Sequence, residues 1–377
     1  MRILLLIPGM SPLYNDNYYA YKKIADKEEC SILALSVQIE NNKSPNTKLE
    51  KLETDNRFQI IRFFNDKKEM FSKIFIKKNF SKIMEIVNSY QPDVIVCSQQ
   101  KNIFLASKIK NVINKPIILI MEFAYDKAFP HYLIRRRLYL GIKIFGCVLS
   151  KIYWNYLCKK ANAIITCNPL DEPKIRNLKN KNTKMHYVPW PTKERKTEDI
   201  SKNDHRMVFA GSFTKHKNLA EFLITVPKII ERTHINEFYI IGKGKYGHVI
   251  EKLKKGYGDK IVHIESLPRE KVLEIISSSF LSYSPVLEGG WGFILDSWAM
   301  KTPVIFTCNH FDFKAEIDSI FSTTENIHEK INLLRKDSEL YNQIINNGYK
   351  RYKEYHDAEY VGGKYFNIFK ETMNCGQ

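Results

Sequence analysis

Short apolar runs recur along the first half of the chain: ILLLIP (3–8), SILALSV (31–37), FQIIRFF (58–64), DVIVCS (93–98), PIILIMEF (116–123) and AIITC (163–167). Each has the length and apolar character of a strand, so each reads as a strand. Between them, apolar residues fall at helical spacing over 67–88 and 101–112, and over a longer stretch near 132–160. A second series opens with MVFAGSF (207–213). It runs through helix 218–231, strand 238–242, helix 246–255, strand 260–264, helix 269–278, strand 280–286, a helix after Trp291 and strand 303–307. Strands that alternate with helices twice over predict an α/β protein with two parallel sheets, since parallel strands need a crossover between them. The polar, charge-rich segment 192–205, TKERKTEDISKNDH, is the expected linker.

Composition sharpens this picture. A chain of 377 residues has room for two domains of ordinary size. Its seven cysteines show neither a C-x-x-C pair nor zinc spacing, which suits a reducing compartment. MRILLLIPGM lacks the long apolar core and small-residue cleavage site of a signal peptide and reads as a first strand. The charge is one-sided. Residues 1–200 hold 35 Lys and Arg against 19 Asp and Glu, a net of +16 out of the chain's +18. The excess is densest over 101–160, with 12 basic and 2 acidic residues. Such a field implies an anionic partner: membrane lipid, nucleic acid or an anionic substrate.

The richest stretch for chemistry is SPVLEGGWGFILDSWAMKTPVIF, from position 284. Three glycines in four residues are unfavourable in backbone entropy, and they make sense where a backbone must approach a ligand. The helix that opens just afterwards presents unpaired N–H groups and the positive end of its dipole, a setting for an anion such as phosphate. Glu288 and Asp296 flank it. Eight helical residues rise roughly 12 Å, a span that can hold a sugar at one end and a ribose at the other. No D-x-D motif occurs, and no His, Asp or Glu cluster has metal spacing.

Four segments stand in order: FAGSFTKHKN (209–218), YIIGKGKYG (239–247), DKIVHIESLPRE (259–270) and the stretch just quoted. Together they resemble the donor-binding domain of family 4 glycosyltransferases, the retaining enzymes of the GT-B fold. In the first half the resemblance is carried by QPDVIVCS (91–98), KPIILIMEF (115–123) and KKANAIITCN (159–168). It implies two Rossmann-like domains with parallel sheets facing across a cleft. The acceptor domain would be 1–191, the linker 192–205 and the donor domain 206–355, with a C-terminal helix (356–377) returning to the first domain.

What the resemblance implies can be placed residue by residue. Glu288 and Asp296 match the family's acid-x7-acid motif, with Asp where Glu is usual, the first acid on the donor sugar and the second on the nucleotide ribose. Gly289, Gly290, Trp291, Gly292 and Phe293 would lend backbone N–H groups to the sugar and diphosphate. Lys217 matches the phosphate-binding lysine, in a turn with Gly211. The Arg usual five residues earlier is Ser212 here, and Lys215 is the candidate stand-in, although a point charge is not a bidentate fork. Gly242 lies in the loop near the donor, and His263 and Ile264 lie where the family lines the nucleobase. Glu265 replaces a common Gly, so the base is not readable, though a UDP-sugar is expected. No metal and no cofactor beyond the nucleoside-diphosphate sugar is expected.

The first domain departs further from the family. Glu122 stands where a catalytic-face histidine is usual, as a sugar ligand or acceptor base. Only Gly9 remains of the paired glycines in the first loop. The segment LIRRRLYLGIKIFGCVLSKIYWNYLCKK (133–160) contains 21 mostly apolar residues, which suggests a span. Yet Arg136, Lys143, Lys151 and Lys159 form a polar stripe on one side, which favours a helix lying on a surface. With KIFIKKNFSK (73–82) it would make a basic-aromatic face for anionic lipid. The expectation is therefore a retaining, metal-independent hexosyltransferase, cytoplasmic and peripheral on the inner face of the membrane. It would act on a glycolipid or lipid-linked glycan in surface polysaccharide, lipopolysaccharide or glycoconjugate synthesis. A non-catalytic partner subunit and a nucleic-acid glycosylating enzyme are the alternatives, nucleic acid being the less expected partner.

Overall fold

Residues one apart on the first strand face opposite sides of its sheet. Leu4 and Leu6 enter one buried cluster with Leu33, Leu35, Ile95 and Leu119. Ile3 and Leu5 enter a second cluster with Ile32, Ala34, Val94, Val96 and Ile118. Period-two alternation with both sets apolar is the mark of a sheet covered on both faces, and it explains why these strands read as continuous apolar runs. The computed structural model describes residues 1–10, 17–27, 29–38, 54–55, 57–121, 152, 155–167, 183–193, 201–286, 291–307 and 313–374. The chain divides into two units, Met1–Lys193 with Ala358–Gln377, and Glu194–Asp357.

In the first unit the described strands are β1 (Arg2–Leu6), β2 (Ser31–Val37), β3 (Thr54–Asp55), β4 (Phe58–Phe64), β5 (Val94–Ser98), β6 (Ile117–Met121), β7 (Ala163–Thr166) and β8 (Lys184–Tyr187). They lie in the order β3-β4-β2-β1-β5-β6-β7-β8, all parallel except β3, which runs antiparallel to β4. The chain leaves the centre at β1, winds out one way, and returns to wind out from β5. The helix Asn17–Ala25 packs against the C-terminal helix Ala358–Asn374, with Tyr21 and Tyr365 stacked at 5.7 Å and Lys23 paired to Glu359 at 2.9 Å.

The helix expected over 67–88 is three helices: Lys67–Phe71, Lys73–Lys78 and Phe80–Tyr90. Ser72 and Asn79 make the breaks. The Ser72 hydroxyl accepts from the Phe75 N–H at 3.2 Å, and the Asn79 amide donates to the Phe75 carbonyl at 3.0 Å. Such short polar side chains compete with the helical ladder for its own backbone groups. Strand β8 has no apolar run to announce it, since its residues KMHY are half-buried or exposed.

The second unit holds β9 (Asn203–Ala210), β10 (Glu237–Ile241), β11 (Ile261–Ile264), β12 (Ser279–Ser284), β13 (Val304–Phe306) and β14 (Ile320–Phe321), in the order β11-β10-β9-β12-β13-β14 and all parallel. β9 starts at Asn203, within the segment expected to be linker. Its polar end is paired, because the Asn203 N–H donates to the Ser278 carbonyl at 2.8 Å and Arg206 pairs with Glu237 at 2.9 Å. The helix expected from 218 begins at Phe222, preceded by two 3₁₀ turns, Lys215–Lys217 and Leu219–Glu221. Asn218, left-handed at φ +50°, separates the turns. Two further helices, Ile327–Lys336 and Ser338–Arg351, follow the last expected strand.

Candidate functional site

In a doubly wound sheet the crevice between the first strand and the strand that reverses the winding is where ligands bind, at the carboxyl ends. In the second unit that crevice lies between β9 and β12, and parallel register brings their C-terminal ends level, with Val208 opposite Ser282. The loop after β9 carries Gly211, Ser212, Lys215 and Lys217, and the helix that follows β12 begins at Trp291. The switch point therefore gathers segments that lie about 75 residues apart in sequence. Phe209, near the end of β9, meets Phe293 from the first turn of that helix, with ring centroids 5.7 Å apart. The two halves of the crevice are thus fixed to one another by an aromatic contact.

Lys217 bends back over the end of β9, its Cε 3.9 Å from where a Cβ on Gly211 would stand. Among the described residues no carboxylate pairs with it. Burial alone lowers its pKa from 10.5 to about 8, because the ammonium has lost water and gained no counter-ion. A network of polar side chains holds the loop. Asn218 donates to Glu221 Oε2 at 2.6 Å, while the buried Tyr283 of β12 donates to Glu221 Oε1 at 2.9 Å and lies 3.0 Å from the Thr225 hydroxyl. Burial and the Glu221 carboxylate together push the Tyr283 hydroxyl far up. Lys215 and Ser212 are exposed.

The GKG loop is a packing device. Gly242 has φ +143° and Gly244 has φ +152°, and a Cβ on Gly242 would stand 1.9 Å from the Gly211 carbonyl oxygen. The Phe213 N–H donates to the Lys243 carbonyl and the Gly211 N–H to the Ile241 carbonyl, both at 2.9 Å, so the two loops form a pair. His263 supports it. Its Nε2 lies 3.0 Å from the Gly242 carbonyl oxygen, which can only accept, so Nε2 carries the proton. Its ring also packs on Phe213 at 5.5 Å, and the Ile264 carbonyl accepts the Gly242 N–H at 2.8 Å.

Asp296 is 6 % exposed and sits on the helix Trp291–Ala299. Arg269, the first residue of the helix Arg269–Ser277, places Nη2 at 2.9 Å from one carboxylate oxygen and 3.0 Å from the other. The sequence reading did not single out Arg269. Its signal would have been a lone arginine at a helix start on the loop after β11, and nothing local ties that position to Asp296. Trp291 packs on His356 at 5.1 Å and on Phe313 at 5.5 Å, while at Gly292 a Cβ would meet nothing within 4 Å among the described residues. Glu288, Gly289 and Gly290 lie outside the described residues.

In the first unit the corresponding crevice lies between β1 and β5. The buried Asn102 bridges it, its amide donating to the Leu6 carbonyl at 3.0 Å and the Ser98 carbonyl at 2.6 Å. Gly9 follows β1 with φ +77°. Lys159 is exposed on helical residues 155–160, whereas Glu122, Arg136, Lys143 and Lys151 lie outside the described residues. Among the described residues no helix is long and apolar enough to cross a membrane, and no group of three or more His, Cys, Asp or Glu is placed to hold a metal ion.

Residues 192–351 match the family model described as glycosyl transferases group 1, which is less than half of the chain. No curated protein matches the chain. Many solved structures share its fold, three of them over nearly all of both chains as follows. Sucrose-phosphate synthase from Thermosynechococcus elongatus aligns with a TM-score of 0.73 at 12 % identity, covering 99 % of each chain. A glycosyltransferase from Rickettsia africae aligns at 0.72 and 14 % identity, covering 99 % of this chain and 98 % of that one. HepE from Anabaena, in complex with UDP-glucose, aligns at 0.68 and 12 % identity, covering 98 % and 100 %. The fold is GT-B: two α/β units, each built on a sheet whose strands are parallel, β3 apart.

Proposed function

We propose that the protein is a retaining glycosyltransferase of family 4 that takes its sugar from a nucleoside diphosphate, a UDP-sugar in the first instance. The observation that carries the reading is Lys217. A desolvated ammonium without a carboxylate partner among the described residues stands at the switch point of the second sheet, in the loop after the strand whose Phe209 packs against the first turn of the helix Trp291–Ala299. An anion brought there gains both a cation and the N–H groups of a helix terminus. When the glycosidic bond breaks, the departing diphosphate gains charge, so this arrangement stabilises the transition state more than the ground state. Glu288 is assigned to the sugar hydroxyls, Asp296 to the ribose, and Glu122 to the sugar or acceptor hydroxyl. No metal ion is assigned a role. HepE, one of the structures of like fold, is in complex with UDP-glucose, which supports a UDP-sugar as the first donor to try.

The acceptor in this proposal is a lipid-linked or membrane-borne glycan, and the protein works as a peripheral membrane protein on the cytoplasmic face. Supporting this, Ile74 is 81 % exposed on the helix Lys73–Lys78, with Lys73, Lys77 and Lys78 exposed around it. Three lysines lie over phenylalanine rings that pack on one core cluster: Lys73 over Phe104 at 5.4 Å, Lys101 over Phe71 at 5.3 Å and Lys108 over Phe80 at 4.8 Å. A solvent-facing isoleucine ringed by lysines suits acyl chains beneath anionic headgroups.

A thermal-shift panel of UDP, GDP, ADP and CMP with their sugars tests the donor, because a ligand that binds the native state raises its apparent stability. A shift with one nucleoside diphosphate and hydrolysis or transfer of its sugar supports the proposal. A shift without turnover on any donor favours a non-catalytic subunit instead.

A further inference from the structure

Arg269 meets Asp296 in an unusual way. One nitrogen, Nη2, serves both carboxylate oxygens, at 2.9 and 3.0 Å, and the carboxylate is 9 % exposed. Asp296 stands on the helix whose first turn faces the candidate diphosphate. Arg269 opens the helix after β11, on the edge of the sheet where His263 and Ile264 lie. The pair thus joins the two segments between which a nucleoside would lie.

We infer that Arg269 is a positioning residue for the ribose, and that the Arg269–Asp296 pair sets a preference for ribo- over 2′-deoxyribonucleoside diphosphates. The inference rests on the donor reading of the second unit and extends it to a residue outside the motif. Its chemistry has two parts. A carboxylate on one methylene fewer than glutamate has a shorter reach, so its orientation decides whether a sugar hydroxyl can donate to it at hydrogen-bond distance. Nη2, bridging both oxygens, holds that orientation. The second part is charge. A buried carboxylate needs a compensating partner, and one on the helix assigned to the diphosphate would repel it. The guanidinium offsets both effects. A hydroxyl that donates to a held, ionised carboxylate makes a charge-assisted bond; we assign the 2′-hydroxyl to it, and a 2′-deoxyribose has lost that donor.

The test is calorimetry of the full chain with UDP, GDP and ADP, each beside its 2′-deoxy counterpart. The wild type is expected to bind one ribonucleoside diphosphate ten- to a hundredfold more tightly than the deoxy form. In Arg269→Gln that ratio should fall at least fivefold, with the affinity for the deoxy form changed much less. Arg269→Lys, which keeps the charge, should recover part of the ratio. Asp296→Ala should level it, and adding Arg269→Gln to Asp296→Ala should level it no further, since the arginine acts through the aspartate. A ratio near one in the wild type overturns the inference. So does an unchanged ratio in a folded Arg269→Gln or Arg269→Lys protein, even if overall affinity drops, because Arg269 would then be merely structural. If the folded wild type binds none of the diphosphates, the donor reading falls and takes the inference with it. If Arg269→Gln fails to fold, Arg269→Lys and Asp296→Ala still decide the question.

Discussion

Gly242 and Gly211 stand so close that a Cβ on the first would lie 1.9 Å from the carbonyl oxygen of the second. The loops after β9 and β10 are therefore one body, and the Lys217 loop inherits its position from a glycine outside it. Gly242→Ala meets both a backbone carbonyl and a φ of +143°, and strained backbone of this kind costs about 1–3 kcal/mol before the clash is added. The expected outcome is a lower urea midpoint for the second unit and a loss of nucleotide binding. A variant with wild-type stability would show that the loops part freely.

Gly292 has the opposite character. Among the described residues a Cβ there meets nothing within 4 Å, so their packing does not require the glycine. Alanine in place of a helical glycine gains roughly 0.5–1 kcal/mol. If the open space is where a ligand's phosphates approach, Gly292→Ala should raise the melting temperature while weakening the nucleoside diphosphate about tenfold. Stabilisation with unaltered binding would remove this turn from the site.

Lys217 ties stability to pH. Folding lowers its pKa from 10.5 to about 8. Between those values the unfolded chain holds a proton that the folded chain has released, so stability rises with pH across the window and is least favoured by this group below it. Lys202, also lowered to about 8 by burial, contributes alongside it. Lys217→Met should be more stable than wild type at pH 7 and gain less between pH 8 and 10, as urea titrations would read. It should also bind nucleoside diphosphate ten- to a hundredfold more weakly at pH 7. A variant less stable at pH 7 would show that the ammonium is satisfied in the folded state.

The two ends of the donor can be separated. Lys217→Ala should weaken the bare nucleoside diphosphate as well as the nucleotide-sugar, since the lost charge faces groups common to both. Glu288→Ala should leave diphosphate affinity nearly unchanged and cut turnover, each affected step falling by the roughly 1.5–3 kcal/mol of a charge-assisted bond. Equal loss of diphosphate affinity in both variants would sink the assignment of opposite ends.

For the membrane face, Ile74→Asp is expected to abolish co-sedimentation with vesicles containing anionic lipid, and Lys73, Lys77 and Lys78 changed to Glu should do the same. Neutral vesicles should retain little of the wild type. Nucleotide binding should be intact in both variants. Unaltered sedimentation of Ile74→Asp at moderate salt would reduce the contact to surface charge, or to another face.

Sequence alone determined the α/β class and the alternation of strands with helices, because a strand buried on both faces must be apolar at nearly every position. β1, β2, β5 and β6 declare themselves for that reason. It also offered Lys217, Gly292 and Asp296 as candidate site residues, through a resemblance carried by segments contiguous in sequence. Where burial is partial the signal fades: β8 and the polar start of β9 are held by pairing to neighbouring strands, not by an apolar run of their own. Ser72 and Asn79 broke a helix whose apolar spacing is continuous, since a side-chain cap outweighs spacing that neighbours on the sheet can satisfy in pieces. The Arg269–Asp296 pair, the Tyr283–Glu221–Asn218 network and the fit of Gly242 to Gly211 were decided only in three dimensions. Each joins residues on different strands or helices, and the distance that makes the contact is set by sheet register and helix packing, which no local pattern encodes.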